Sequence, residues 1–296
     1  MTQITLLDGG MGQELIRRAG NQPTPLWSTQ VMADHPGMVE SVHAEFFAAG
    51  ATVATTNSYS IHHDRLEGTA LSGKFADLHA AALAEARAAQ SAHGRGRIAG
   101  SIGPLRGSYR PDLHPGTEIA VPLLAEVATT LAPGCDLLLL ETVASVAHAR
   151  DALAAARYTD LPVWLSLTLR DDDGTRLRSG EPLQDALDVA KDADAVLLNC
   201  SAPEAITQGL PILSALDKPF GAYGNAFVQI TDAFLSTTAT VASLETRKDM
   251  GPRAYAGYVM QWVGLGATIV GGCCEVSPAH IAELHHRLTA VGHDVV

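Results

Sequence analysis

The chain has 296 residues, of which 47% are hydrophobic and 18% charged, and its formal net charge is −12. This length suits one large α/β barrel or two ordinary domains. A negative charge of this size repels anionic polymers and acidic membrane surfaces, so nucleic-acid binding and membrane binding are not expected.

The sequence has neither a basic segment followed by a long apolar one near residue 1 nor an apolar run of the ~20 residues that a membrane span requires. Its 4 cysteines are too few for a disulfide framework in a chain of this length. We therefore expect a soluble cytoplasmic protein, in which clustered cysteines serve as metal ligands or catalytic groups.

Short apolar runs alternate with stretches rich in Ala, Leu and Glu along almost the whole chain. This alternation predicts repeated βα units with a parallel sheet, and near-continuous hydrophobicity suits strands that are buried on both faces. The predicted strands are residues 4–8, 51–57, 98–103, 136–141, 163–169, 195–200, 220–224 and 267–272. The predicted helices are residues 37–49, 73–92, 117–131, 145–157, 182–191, 203–215, 252–265 and 278–290.

This order of elements predicts a closed (β/α)8 TIM barrel that forms a single catalytic domain over residues 1–296. The alternative is an open doubly wound sheet, but Gly9-Gly10-Met11-Gly12 is a poor match to the Gly-x-Gly-x-x-Gly turn of that fold. The longest connection, residues 225–250, has a Thr/Ser-rich middle at residues 236–243. We expect it to be a mobile loop or lid on the catalytic face.

The carboxyl ends of the strands carry the chemistry of such barrels, whereas the opposite face carries stability. The predicted strands therefore bring a set of polar residues to one mouth: Asp8, Thr56, Asn57, Glu141, Cys200, Cys273 and Cys274. Cys135 comes at the start of the fourth strand, at the far end of the barrel. We interpret Cys135 as a core residue, because free cysteine often packs as a small hydrophobe.

Cys200, Cys273 and Cys274 are the expected ligands of a Zn²⁺ ion. Three protein ligands leave one coordination position open, as in catalytic zinc sites. Each thiol alone would more often be an inert buried cysteine than a ligand, but their convergence at one mouth favours a metal. Adjacent side chains of a strand point to opposite faces. We expect Gly271 and Gly272 to let the backbone leave strand geometry, so that both following cysteines turn toward one ion.

A zinc ion with three thiolates is a weak Lewis acid, but it deprotonates a bound thiol and keeps it nucleophilic at neutral pH. The favoured reaction is therefore alkyl transfer to a thiol sulfur. Asp8 and Glu141 are expected to bind a substrate ammonium, because buried carboxylates require compensation, although backbone N–H groups would also satisfy them. Thr56 and Asn57 are candidates for binding a substrate carboxylate.

Several motifs together resemble the homocysteine S-methyltransferase family: Leu7-Asp8-Gly9-Gly10-Met11-Gly12, Asn57-Ser58-Tyr59, Gly100-Ser101-Ile102-Gly103-Pro104, Leu140-Glu141-Thr142, Asn199-Cys200 and Gly271-Gly272-Cys273-Cys274. The resemblance spans essentially the whole chain, and the separated cysteine with Gly-Gly-Cys-Cys is its most specific part. It implies a zinc-dependent barrel that transfers methyl to homocysteine and makes methionine. It also implies zinc ligation by the three cysteines, binding of the amino-acid ammonium by Asp8 and Glu141, and a part for Thr56 near the carboxylate. We assign no catalytic residue beyond the zinc site.

Trp27 is the candidate residue for binding the methyl donor. The segment Pro25-Leu26-Trp27-Ser28 resembles one that brings a tryptophan to the donor in this family, and an aromatic face attracts a sulfonium or quaternary ammonium by about 0.5–2 kcal/mol. Simple packing of Trp27 under a loop is the alternative. Betaine-using relatives tend to carry an aromatic residue where this chain has Thr142, and they are longer at the C-terminus. We therefore expect S-methylmethionine as donor, then S-adenosylmethionine, then betaine.

Two other function classes stay open. A barrel lyase or aldolase with metal-free cysteines would need a lysine or a metal-bound water at the mouth, and no predicted strand ends in lysine. The other class is a non-catalytic zinc-buffering or thiol-binding barrel. Carboxylates placed opposite the cysteines argue for a specific amino-acid ligand instead.

Overall fold

The structure is a computed structural model that describes residues 2–20, 26–230, 235 and 244–296. In chain order the strands are β1 Gln3–Leu6, β2 Val53–Thr55, β3 Arg97–Ile102, β4 Leu137–Val143, β5 Val163–Leu167, β6 Ala195–Asn199, β7 Phe220–Gly224, β8 Ile269–Gly272 and β9 Asp294–Val295. The helices are α1 Met11–Arg18, α2 Ser28–Asp34, α3 Met38–Ala48, α4 His63–Leu66, α5 Phe75–His93, α6 Thr117–Leu131, α7 Val146–Ala156, α8 Leu183–Ala190, α9 Pro203–Leu213, α10 Pro252–Gly264 and α11 Pro278–Ala290.

The strands pair in the order β2-β3-β4-β5-β6-β7-β8-β1-β9, and all of these pairs are parallel. A parallel bridge between Leu7 and Val53 brings the end of β1 to β2, and the Asp8 amide donates to the Val53 carbonyl at 3.1 Å. These contacts close the sheet on itself. The predicted (β/α)8 barrel is therefore confirmed, and the doubly wound alternative is wrong.

The strands are buried on both faces because two hydrophobic layers cover them. Leu138 and Leu140 of β4 face the large cluster between sheet and helices, whereas Leu137 and Leu139 belong to a smaller cluster inside the barrel. This alternation follows from the two-residue period of a strand, and it explains why the strands appear in the sequence as continuous apolar runs. Trp164 belongs to the inner cluster, which fills the barrel below its carboxyl-end mouth.

The predicted elements occur with bounds that shift by a few residues, and α6 and α11 match their predicted ranges. The helices α1, α2 and α4 were not predicted, because they lie in loop segments after β1 and β2 that are short or rich in glycine. Strand β9 was also missed. Its two residues lie beside the start of β1, where the Thr52 hydroxyl donates to the Val296 carbonyl at 2.6 Å.

Three other expectations concern location and mobility. In the portion of the chain that the structure describes, no helix has both the length and the apolar character that a membrane span needs. The cytoplasmic location and the division into one domain stay predictions. The Thr/Ser-rich residues 236–243 lie outside the described residues, so the predicted mobile loop is untested.

Candidate active site

A cavity of about 280 Å³ lies at the carboxyl ends of the barrel strands. It is lined by every residue that the sequence assigned to substrate or metal: Asp8, Trp27, Thr56, Asn57, Glu141, Cys200, Cys273 and Cys274. Cys135 instead packs in the large core, where burial raises the pKa of its thiol to about 12. The rule that separates the two ends of a barrel thus sorted the cysteines correctly.

The sulfur atoms of Cys200, Cys273 and Cys274 lie within 4.8 Å of one another. Cys273 Sγ and Cys274 Sγ are 3.9 Å apart, which fits the sulfur–sulfur edge of roughly 3.8 Å in a tetrahedral site with Zn–S bonds of ~2.3 Å. Cys200 and Cys273 form a disulfide, with their Cα atoms 5.8 Å apart. Because a disulfide sulfur is not a thiolate, a metal with all three ligands requires the reduced pair.

The glycine pair before the adjacent cysteines remains within β8, so the prediction that it leaves strand geometry is wrong. Its role is close packing. A Cβ on Gly271 would lie 2.5 Å from the Leu7 Cβ, and one on Gly272 would lie 2.0 Å from a methyl carbon of Val276. The backbone leaves the strand directly after this pair and turns at Cys274 and Glu275: the Val276 amide donates to the Cys273 carbonyl at 3.1 Å, and Glu275 has a φ of 65°.

The end of β1 is bound directly to the cysteine segment. The Gly272 amide donates to the Asp8 carbonyl at 3.0 Å, and the Gly10 amide donates to the Val276 carbonyl at 2.8 Å. A Cβ on Gly9 would lie 2.2 Å from that same Val276 oxygen. Only a glycine fits this approach, which joins the chain directly after Asp8 to the segment that follows the cysteines.

The Asp8 carboxylate is buried and is held by Thr55, the residue before the threonine that the sequence favoured. The Thr55 amide donates to Asp8 Oδ2 at 2.7 Å and the Thr55 hydroxyl donates to Oδ1 at 2.8 Å. Burial raises the pKa of Asp8 to about 7; the Thr55 hydrogen bonds oppose this rise, and the charge of Glu141 adds to it. A ligand cation would favour the ionised form.

Glu141 is the second buried carboxylate. The Tyr223 hydroxyl donates to Glu141 Oε1 at 3.0 Å, and the Ser101 hydroxyl donates to Oε2. Burial raises the pKa of Glu141, and these two hydrogen bonds counteract the rise. The sequence pattern did not identify Ser101 or Tyr223 as site residues. Ser101 does lie in one of the family-like motifs, and Tyr223 is a polar group within an otherwise apolar strand.

The side chains of Thr56 and Asn57 form hydrogen bonds to other residues around the mouth. The Ser58 hydroxyl donates to the Ser101 carbonyl at 2.7 Å, so the Thr56 hydroxyl is the donor in its 2.8 Å bond to Ser58 Oγ. Thr56 Oγ1 also accepts from the Ser101 amide at 3.0 Å. Asn57 Nδ2 donates to the Ser28 carbonyl at 3.2 Å. Binding of a substrate carboxylate by either residue stays a prediction.

Several residues in and beside the cavity have a positive φ, among them Trp27 at 54°, Thr142 at 55° and Cys200 at 48°. Such values are uncommon for residues with a Cβ, above all for a β-branched threonine, and they cluster at functional sites. Cys200 follows β6, Thr142 lies near the end of β4 and Trp27 precedes α2. The backbone is therefore strained where the site needs a sharp change of direction.

Aromatic rings form one wall of the cavity. The Trp27 and Tyr59 ring centroids are 6.1 Å apart with planes at 76°, an edge-to-face contact. Trp27 also packs against the small cluster of Phe227, Leu244 and Cys274. A Cβ on Gly12 would lie 3.0 Å from the Trp27 ring, so α1 can support the indole only because residue 12 is glycine.

Comparisons with known proteins identify the family and the fold of the chain. A model of the family described as homocysteine S-methyltransferase matches residues 5–288. The chain is 31% identical to homocysteine S-methyltransferase of Escherichia coli strain K12, over 96% of this chain and 95% of that protein. The crystal structure of the E. coli homocysteine methyltransferase MmuM in its metallated form has a TM-score of 0.79 at 30% identity and covers 96% of both chains. Its oxidized form matches with the same TM-score.

Proposed function

The chain belongs to the homocysteine S-methyltransferase family, and from this premise we propose that the methyl group it transfers to homocysteine comes from a sulfonium donor, S-methylmethionine first and S-adenosylmethionine second. The product is methionine. The strongest support is the convergence of three cysteine sulfur atoms and two buried carboxylates on one cavity of about 280 Å³.

We propose Zn²⁺ as the metal, held by Cys200, Cys273 and Cys274. Support comes from the sulfur-only donor set, from the 3.9 Å spacing of the adjacent cysteines and from the metallated form of the E. coli relative. Bound there, the ion would keep the acceptor sulfur as a thiolate at neutral pH.

Asp8 and Glu141 bind the ammonium of homocysteine in this proposal. Both carboxylates line the cavity, and their burial disfavours two negative charges without a cation. Thr55 orients Asp8, and Tyr223 and Ser101 orient Glu141. Fixing the acceptor at its ammonium leaves its sulfur directed toward the cysteines, so these side chains contribute mainly by positioning.

A sulfonium donor is favoured over betaine by the aromatic wall and by the residue after Glu141. The Trp27 and Tyr59 rings line the cavity, and the face of an aromatic ring attracts a cation. Betaine-using relatives tend to place an aromatic residue at the position of Thr142, whereas the Thr142 hydroxyl here accepts a hydrogen bond from Asn199. Betaine is therefore the third choice of donor.

A donor comparison tests this function. Reduced, zinc-supplied protein is incubated with homocysteine and with each of the three donors, and methionine is measured over time. We expect the highest kcat/KM with S-methylmethionine and the second highest with S-adenosylmethionine. Cys200→Ala should abolish turnover, whereas Cys135→Ala, which removes a buried thiol outside the site, should retain it. Silence of the wild-type protein with all three donors would refute the activity and favour a lyase or a zinc-binding barrel.

A further inference from the structure

Arg65 lines the cavity, and its guanidinium has no carboxylate partner among the residues that the structure describes. Its side chain lines the cavity and donates to the Pro104 carbonyl at 2.8 Å, with Ser108 Oγ at 3.5 Å. Within the described ranges, no Asp or Glu oxygen forms an ion pair with Arg65, and its buried Nε–H has no hydrogen-bond partner. Arg65 is partly buried, so its guanidinium has lost part of its hydration and is stabilised by an anionic ligand.

Arg65 differs from the other arginines around the mouth: Arg106 lines the cavity but is exposed and donates to the Leu113 carbonyl at 3.4 Å, whereas Arg110 and Arg178 have carboxylate partners. Arg110 also lines the cavity, but it forms two hydrogen bonds to Asp112, at 2.7 and 2.5 Å. Arg178 pairs with Asp171 at 3.1 Å. Asp64, the acid next to Arg65 in the chain, accepts from the amide of Arg106 at 2.7 Å rather than binding the neighbouring guanidinium.

The position of Arg65 relative to the thiols follows from the aromatic wall. Trp27 packs beside Cys274, the Tyr59 ring lies 6.1 Å from the Trp27 ring, and the Arg65 guanidinium carbon lies 5.7 Å from the Tyr59 ring centroid. Two aromatic rings therefore come between the cysteines and the guanidinium along this wall. These are the rings against which the cationic sulfur of the donor is proposed to lie.

We propose that Arg65 binds the carboxylate of the methyl donor, so that the site selects sulfonium donors that carry a carboxylate. The inference rests on the proposed function and extends it by naming the group that is recognised. Guanidinium and carboxylate form strong, directional hydrogen bonds. The two substrates are then sorted by charge: the acceptor's ammonium binds at Asp8 and Glu141 beside the thiols, and the donor's carboxylate binds at Arg65.

The test compares S-methylmethionine with its decarboxylated analogue, (3-aminopropyl)dimethylsulfonium, as donors for wild-type protein and Arg65→Met. Removal of a charge-assisted hydrogen bond should lower kcat/KM for S-methylmethionine by about 10- to 100-fold. The value for the decarboxylated donor should change less than about 3-fold, and the KM for homocysteine and the bound zinc should stay the same. Arg65→Lys should recover part of the loss because it restores the charge without the planar fork.

Arg110→Met is the matched control, because Arg110 lines the same cavity but is paired with Asp112. Arg110→Met should lower kcat/KM for either donor by less than Arg65→Met lowers kcat/KM for S-methylmethionine. Equal losses of Arg65→Met with the two donors would overturn the proposal, and so would a raised KM for homocysteine alone. Arg65→Lys gives the same comparison if Arg65→Met does not fold.

Calorimetric binding of both donors, without homocysteine, separates this inference from the proposed function. The expected result is that S-methylmethionine binds wild-type protein more tightly than the decarboxylated analogue, and that Arg65→Met removes this difference. The same binding result together with no methyl transfer would refute the activity and keep the carboxylate site. Equal binding of the two compounds by wild-type protein would overturn the carboxylate site itself.

Discussion

Asn199 and Thr142 exchange two hydrogen bonds across the barrel, between the ends of β6 and β4. The Thr142 amide donates to Asn199 Oδ1 at 3.1 Å, and Asn199 Nδ2 donates to Thr142 Oγ1 at 3.3 Å. The same Nδ2 lies 3.5 Å from Cys200 Sγ. One buried amide thus supports the strained residue after Glu141 and the strained cysteine. It links the proposed ammonium site to the proposed metal site.

Asn199→Ala should weaken both stability and metal binding. The Thr142 amide would remain buried without its partner, which should lower the free energy of unfolding by about 1–3 kcal/mol. Loss of support for the ligand should weaken zinc affinity by about 10- to 100-fold. Denaturant unfolding and competition with a zinc chelator measure these effects. Ser145→Ala, which removes a buried hydroxyl that accepts from the His148 amide at 3.1 Å and does not line the cavity, should lose stability only. Unchanged zinc affinity in Asn199→Ala would show that the amide has no influence on the metal site.

Metal content should follow the three clustered thiols. Reduced wild-type protein should bind about one zinc per chain, and Cys273→Ala should lose it, because a three-cysteine site cannot hold the ion with two ligands as tightly. Cys135→Ala should retain full metal content, since its thiol lies in the core. Oxidation of Cys200 with Cys273 should exclude the metal until reductant is added. Elemental analysis of each protein gives the answer, and an active, metal-free wild type would rule out the zinc site.

Glu141→Gln should raise the KM for homocysteine without changing zinc content. The amide removes the charge that binds the ammonium, so the KM for homocysteine should rise by about 10-fold or more. Tyr223→Phe removes only one hydrogen bond to this carboxylate and should have a smaller effect. Steady-state kinetics at fixed donor and elemental analysis of the same samples distinguish the roles. Loss of zinc from Glu141→Gln would mean that Glu141 supports the metal rather than the substrate.

Asp8→Asn should change the pH dependence of stability. The folded pKa of about 7 is above the ordinary 3.8, so the native state holds this proton when the unfolded state has released it. Stability from the neutral form is full below pH 3.8 and is lost as pH rises through about 7. The stability gain of Asp8→Asn over wild type should therefore grow by roughly 2–3 kcal/mol between about pH 5 and pH 8.

Unfolding by denaturant at several pH values measures this difference. Asp188→Asn is the control, because its exposed carboxylate has a lowered pKa and should give no trend over this range. Homocysteine should stabilise wild type more than Asp8→Asn at pH 8, since its ammonium offsets the buried charge. A constant difference between Asp8→Asn and wild type would show that Asp8 does not titrate in this range.

Gly12→Ala should raise the KM of the methyl donor by displacing Trp27. The added Cβ would come within 3.0 Å of the indole, which must move because the helix backbone cannot. Loss of an aromatic contact of about 0.5–2 kcal/mol should raise the KM of the donor by roughly 2- to 30-fold. Gly257→Ala in α10 is the matched control: its Cβ meets nothing within 4 Å, so it should leave kinetics unchanged and slightly stabilise the protein. An unaltered donor KM in Gly12→Ala would argue against a donor role for Trp27.

The sequence by itself determined the barrel and the members of its mouth. Strands covered on both faces must be apolar throughout, so they can be recognised as runs such as Leu137–Val143 without knowledge of their neighbours. Parallel strands then bring their carboxyl ends to one side, which predicted that Cys200 and Cys273 meet although they are 73 residues apart. Cys135 was separated from them by the same argument.

Only the tertiary structure decided which groups satisfy those residues. Glu141 is held by Ser101 and Tyr223, 40 and 82 residues away along the chain, and Asp8 by Thr55 rather than Thr56. The glycine pair in β8 proved necessary for close packing, and Arg65 proved to lack a carboxylate among its described neighbours. Periodicity specifies the face of a strand that a residue occupies, but hydrogen-bond partners depend on distances of a few tenths of an ångström between segments far apart in sequence.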